Sequence, residues 1–191
     1  MSETPSTMLE IGSQAQNFSL SEPASGKQVS LADFMGKPLL VVFSCNHCPY
    51  VLHIIDSFTE FANQAQTLGL AVVMINSNDV AGYPADSPEK MIQLAQQQGF
   101  EFPYLYDESQ QVARAYRAAC TPDFFLFDSS HRLVYRGQYD GSRPGNNIAV
   151  SGSDMRSAVD ALFSGSDIPA DQIPSVGCNI KWRAGNEPDY F

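Results

Sequence analysis

Cys45 and Cys48 stand two residues apart in the segment Ser44-Cys45-Asn46-His47-Cys48-Pro49. Two thiols at this spacing can close a reversible disulfide, or they can supply half of a zinc site. The flanking residues discriminate between these chemistries. Leu39–Phe43 is a continuous apolar run after Pro38, the pattern of a strand buried on both faces. After the cysteines, Val51, Ile54, Ile55, Phe58, Phe61, Ala62, Ala65 and Leu68 recur at three- and four-residue steps. His53, Asp56, Glu60, Asn63 and Thr67 fill the other stripe, which predicts an amphipathic helix ended by Gly69. Pro49 suits its first turn. Both cysteines therefore fall at a helix N-terminus, where free amides and the helix dipole favour a thiolate, the reactive form of cysteine. The chemistry expected there is dithiol–disulfide exchange. Cys45, just outside the helix, is the expected exposed nucleophile, and Cys48, the resolving thiol.

His47 lies between the two. An imidazole close to Cys45 would favour its thiolate and make the disulfide more oxidising; the plainer alternative is a solvent-facing turn residue. A metal site built from Cys45, Cys48 and His53 has poor phase, because five residues on a helix turn about 140°. The expectation is therefore no metal and no organic cofactor, since the dithiol itself carries two electrons. A thiolate metal-binding or carrier protein remains an alternative, because C-x-x-C spacing alone does not exclude it.

Other elements follow from punctuation. Residues 18–20 and 28–31 alternate apolar and polar around Pro23 and Gly26, the pattern of a hairpin. Residues 70–75 form a second buried strand. Ser87-Pro88-Glu89 opens a helix that runs to Gln98 and stops at Gly99. Residues 103–106 are extended, and Asp107 with Gln110 reads as a capping box for a short helix reaching Tyr116. Residues 123–127 and 132–137 flank a hairpin loop, and residues 138–152 form a long loop. Ser153-Asp154 caps a last helix ending near Gly165. A β-α-β unit with a closing β-hairpin predicts an α/β fold, with a mixed central sheet flanked by helices. The expected organisation is a flexible segment 1–10, a domain 11–165 that includes the N-terminal β-hairpin, and a C-terminal extension 166–191 packed on the domain.

Cys45-Asn46-His47-Cys48-Pro49 after a strand, with Thr121-Pro122 before another, resembles the thioredoxin superfamily. The insertion between these motifs is similar to that of its redoxin branch, which holds peroxiredoxins and the alkyl hydroperoxide reductase/thiol-specific antioxidant group. The segments Cys120-Thr-Pro-Asp-Phe-Phe-Leu-Phe-Asp128, Ser142-Arg-Pro-Gly-Asn146 and Gly177-Cys-Asn-Ile-Lys-Trp182 resemble a peroxiredoxin-like bacterial group. The likeness covers roughly residues 9–190. It implies a thioredoxin-like fold and a redox-active center. It also implies a cis-proline loop at Thr121-Pro122 that faces the cysteines and pairs with a bound polypeptide. Thioredoxins usually carry a buried acid in the strand before the motif; Leu39–Phe43 has none, so another group must handle the Cys48 proton. Peroxiredoxins resemble one another in a Pro-x-x-x-Thr/Ser-x-x-Cys segment. Counted back from Cys45, the hydroxyl position is Val42; counted back from Cys48, it is Cys45. A thiol peroxidase is therefore the alternative activity rather than the first.

Cys120 and Cys178 are additional thiols, either of which could reach the site or serve as a small buried side chain. Arg143, in the long loop with Asp140 and Asn146, reads as a loop ion pair, and His53 as part of a solvated face.

The 191-residue chain carries 11 Lys and Arg against 21 Asp and Glu, for a net charge of −10. Lys90 is the only Lys or Arg between Pro38 and Phe100. Such a surface argues against nucleic acid, which requires clustered basic residues, and against an anionic membrane surface. No apolar run approaches the length of a membrane span. Residues 1–10 lack the pattern of a secretory signal, so the expected location is the cytoplasm. There the chain is expected to act as a disulfide reductase, with a disulfide-containing protein or small molecule as substrate and an unidentified thiol as electron donor.

Overall fold

The computed structural model describes residues 3–190. A seven-stranded sheet runs through the centre in the spatial order β3-β2-β6-β5-β4-β8-β9. Its strands are β2 (Ser19–Glu22), β3 (Lys27–Ser30), β4 (Leu39–Phe43), β5 (Ala71–Asn76), β6 (Tyr104–Tyr106), β8 (Asp123–Phe127) and β9 (Leu133–Tyr135). β4, β5 and β6 are mutually parallel, whereas β8 pairs antiparallel with β4. The fold is thus the thioredoxin-like mixed sheet that the β-α-β order predicts, with the β2–β3 hairpin on one edge.

Alternation along β4 splits the interior in two. Leu40 and Val42 face helix α1 (Pro49–Thr67), meeting Val51, Ile55, Phe58 and Ala62. α4 (Ser153–Ser164) adds Met155, Ala158 and Val159 to this layer. Leu39, Val41 and Phe43 face the other way, against Tyr116, Phe125 and Phe127. Phe58 anchors the first layer, with ring contacts to Phe61, Phe102, Phe124 and Tyr139 at centroid separations of 5.8–6.2 Å. With its core facing both sides of β4, the C-terminal end of this strand is held firmly where the cysteines begin.

Helix α2 (Pro88–Gln98) starts as its sequence dictates, with Ser87 Oγ accepting the Lys90 amide and Gly99 closing it at φ 70°. Two other starts differ. α3 (Gln111–Ala115) has Gln110 at its N-cap without a side-chain cap bond. Asp107 still binds the first turn, accepting the Ala113 amide at 3.0 Å, while Gln110 Nε2 reaches out to the carbonyls of Ser77 and Lys181. α4 begins one residue earlier than a Ser153 cap implies, because Gly152 occupies the cap position and Ser153 is already helical.

The larger departure is a second sheet of three strands, β1 (Glu3–Pro5), β10 (Val176–Asn179) and β7 (Cys120–Thr121), in the order β1-β10-β7. Residues 3–5 lie in the segment expected to be flexible, yet they pair antiparallel with residues 176–178. β10 in turn pairs with β7, directly beside the cysteines. Among the described residues, no helix is long and apolar enough to cross a membrane.

Candidate active site

β4 delivers the chain to the site. Ser44 extends the parallel ladder by one bond, its amide donating to Ile75 O at 2.8 Å. Cys45 then leaves the sheet, and Cys48 becomes the N-cap of α1 with Pro49 in the first turn. Facing them is the Thr121-Pro122 loop, whose peptide bond is cis. Cys45 Sγ lies 3.5 Å from Thr121 Oγ1, and the Cys48 thiol donates to Thr121 O at 3.1 Å.

The expected exposed nucleophile is in fact buried. Cys45 is 1% exposed and Cys48 is 0% exposed. Nor is Thr121 a free edge for a polypeptide. Its backbone is already paired across to Cys178 of β10, and its carbonyl takes the Cys48 thiol. The close approach of β10 depends on Gly177: a Cβ there would lie 2.0 Å from Thr121 O.

The missing buried acid comes from a different element. A 3-10 turn, Pro84–Asp86, brings in Asp86, which is 0% exposed. Its Oδ1 accepts the Asn46 amide at 2.7 Å, and its Oδ2 accepts Asn78 Nδ2 at 2.7 Å. Asn46 is held further by Ala85 O and by the Tyr104 hydroxyl, each at 2.9 Å. His47 turns to the same carboxylate rather than to Cys45 alone. Its Nδ1 is 2.9 Å from Asp86 Oδ2, close enough for an ion pair but outside hydrogen-bond alignment. The imidazole stacks on Tyr83, at 5.6 Å between centroids and 6° between planes. Lys181, from the C-terminal extension, sits 5.6 Å from the other ring centroid partner of this stack, Tyr83. Asp86 has no signal in the sequence, because residues 76–86 carry no periodic pattern between the second buried strand and the Ser87 helix start; its place depends on tertiary contacts with Asn46 and Asn78.

These surroundings separate the two thiols. A hydrogen bond from Cys45 is the largest influence on Cys48 and holds it down to about 5, with a bond from Cys178 adding to the effect against the cost of burial. The same Cys45–Cys48 bond, then burial, then the Asp86 charge push Cys45 well above the usual thiol range. These influences favour the anion on Cys48 over Cys45 when the reduced pair loses a proton, while the 3.1 Å bond to Thr121 O belongs to the protonated Cys48 thiol.

The remaining thiols divide. Cys178 is directly opposite Thr121 in the β10–β7 register, and Cys120 is opposite Asn179. Directly paired residues share a sheet face while successive residues alternate, so Cys178 faces the dithiol with the Thr121 side chain and Cys120 faces away. Cys120 Sγ lies 3.5 Å from Pro122 O and 3.9 Å from Ser175 O. Burial first, then the Asp123 charge, push its thiol well up. Ligand atoms of Cys45, His47 and Asp86 lie within 4.8 Å of one another, so among the described residues it is this trio, not Cys45 with His53, that could gather a metal ion. His53 is instead tied to Ser142 Oγ at 2.7 Å. Arg143 makes no ion pair among the described residues; it donates to Asp140 O, Ser142 O and Gln138 Oε1.

A mixed sheet with a C-x-x-C pair at the strand–helix junction, opposed by a cis-proline loop, defines a thioredoxin-like redoxin. Residues 11–136 match the AhpC/TSA family, and the chain belongs to it. It is 30% identical to the peroxiredoxin Bcp of Escherichia coli over 139 residues, covering 70% of this chain and 81% of that one. It is 28% identical to the thiol-disulfide oxidoreductase ResA of Geobacillus thermodenitrificans over 130 residues, covering 68% and 70% of the two chains. The crystal structure of an uncharacterized conserved protein from Geobacillus kaustophilus superposes with a TM-score of 0.93 at 47% identity, over 96% of this chain and 97% of that one. The protein is thus an oxidoreductase of the redoxin type, with relatives on both the disulfide-exchange and the peroxidase side.

Proposed function

We propose that this protein is a dithiol–disulfide reductase in which Cys45 attacks and Cys48 resolves. The observation that carries the reading is the C-x-x-C pair at the end of β4, with both sulfurs held against the cis Thr121-Pro122 loop. As Cys45 attacks a substrate disulfide, its proton passes to Cys48. One substrate thiolate leaves. Cys48 then attacks the Cys45 sulfur of the mixed disulfide, the second substrate sulfur departs, and the Cys48 proton passes to the departing thiolates. The substrate gains two electrons and the enzyme holds a Cys45–Cys48 disulfide, which a thiol donor reduces. His47 and Asp86 position the turn, and Thr121 Oγ1 orients the Cys45 sulfur. Pro122 sets the wall opposite.

Because Cys45 is buried and β10 fills the Thr121 edge, the reading favours small disulfides, or flexible segments over folded proteins. Reduction is the downhill direction in a reducing cytoplasm, the compartment we assign. The test is turnover of oxidised glutathione and of insulin, with dithiothreitol as donor. Wild type should reduce the small disulfide faster, and Cys45→Ser should fall to the uncatalysed rate. Full activity in Cys45→Ser would reject the assignment. A second reading, a thiol peroxidase, draws on one contact: Thr121 Oγ1 at 3.5 Å supplies Cys45 with the hydroxyl that Val42 cannot. Saturable consumption of hydrogen peroxide, lost in Thr121→Val, would favour it.

A further inference from the structure

Three of the four cysteines, not two, belong to one buried cluster: Cys45, Cys48 and Cys178. Strand pairing explains how. Cys178 is the direct partner of Thr121, so its side chain emerges on the face that Thr121 Oγ1 uses to reach Cys45 at 3.5 Å. Gly177 lets β10 press against this loop, since any side chain there would collide with Thr121 O. Cys48 reaches the same loop from the other side, at 3.1 Å from Thr121 O. Cys48 and Cys178 meet in the same buried cluster, and each shifts the other's titration, as neighbours across this loop do. Cys48 is therefore the middle sulfur, with Cys45 on one side and Cys178 on the other.

We propose that Cys178 is a third redox thiol that exchanges with the Cys45–Cys48 disulfide to form a Cys48–Cys178 disulfide. The inference rests on the dithiol reading above and extends it. The Cys178 thiolate attacks Cys48 Sγ, the Cys48–Cys178 bond forms, and the Cys45–Cys48 bond breaks. Cys45 leaves as a thiolate and takes up a proton equivalent to the one Cys178 released. No electrons enter or leave, so the chain stays oxidised by two electrons. The oxidised state moves beneath β10, and Cys45 is again a free thiol.

The reduced state holds this step back. Burial pushes Cys178 up to about 12, and the hydrogen bond and negative charge of Cys48 add to the rise. Oxidation of Cys48 abolishes its charge and so removes part of that barrier. Lys181, three residues on, favours the Cys178 thiolate throughout. The inward disulfide should therefore gain from alkaline pH and form after, not before, the outer one.

The experiment is disulfide mapping by mass spectrometry. Wild type, Cys45→Ser and Cys178→Ser are oxidised with diamide, acid-quenched, alkylated and digested. Wild type should yield Cys45–Cys48 and Cys48–Cys178 peptides, the second increasing with pH. Cys45→Ser should yield an intramolecular Cys48–Cys178 link, leaving Cys120 as the one alkylated thiol of its three. Cys178→Ser should yield Cys45–Cys48 only. Alkylation of both Cys48 and Cys178 in oxidised, folded Cys45→Ser, or only intermolecular Cys48 links, would overturn the proposal. If that variant fails to fold by circular dichroism, the wild-type map decides, and the absence of any Cys48–Cys178 peptide at alkaline pH overturns it. Absence of the Cys45–Cys48 link in wild type is a separate failure, that of the dithiol reading.

Discussion

Asp86 Oδ1 accepts the backbone amide of Asn46 at 2.7 Å, so a carboxylate from the β5–α2 connection braces the C-x-x-C turn from within. Both carboxylate oxygens are engaged, and the residue is fully buried. In Asp86→Asn, one acceptor becomes a donor that faces Asn78 Nδ2 and His47 Nδ1. The expected cost is about 1–3 kcal/mol, the usual penalty for a buried polar group left unpaired. The same change removes a negative charge that pushes Cys45 up, so the Cys45 pKa should fall. Urea unfolding and the pH dependence of alkylation at Cys45 check the two effects. An unchanged or higher Cys45 pKa would contradict this placement of charge.

The reduced chain should carry one thiolate at neutral pH, on Cys48. Ultraviolet thiolate absorbance should show it titrating at about 5. Because the bond from Cys45 is the largest lowering influence, Cys45→Ala should move this transition upward. The depressed pKa also sets a sign for stability. Its contribution is full above the ordinary thiol range and is lost as pH falls through about 5. A first thiolate appearing only in the ordinary range would contradict the assignment.

Asp123 gives the opposite sign. It opens β8 opposite Phe43, and burial raises its pKa to about 7 despite the bond from the Ala119 amide at 3.0 Å. The folded state thus holds a proton that the unfolded chain has released. Stability should decline as pH rises from about 4 to beyond about 7, by an amount on the order of a few kcal/mol. Asp123→Asn should flatten this slope and be the more stable chain at about pH 8. Urea midpoints of both chains across that range decide; equal slopes would sink the idea.

The parts legible in the sequence are those set by local pattern. The apolar run Leu39–Phe43, the period of α1 and Pro49 fix Cys45 and Cys48 at a strand–helix junction, and Thr121-Pro122 marks the facing loop. What escaped is set by distance along the chain. Asp86 reaches Asn46 across 40 residues, through a turn with no periodic signal. β7 has two residues and β10 has four, too short for alternation to show, so the second sheet and the facing of Cys178 were hidden. The charge order of Cys45 and Cys48 was hidden for the same reason, because it depends on Asp86 and Cys178 as well as on the helix terminus.

The most direct test of the dithiol account is a redox titration of wild type against glutathione buffers, read as the Cys45–Cys48 peptide link by mass spectrometry after alkylation. The account predicts a reversible two-electron couple between roughly −270 and −120 mV, the span of exchange proteins. Cys45 and Cys48 remaining alkylatable across the whole range, with no reversible link between them, would contradict it.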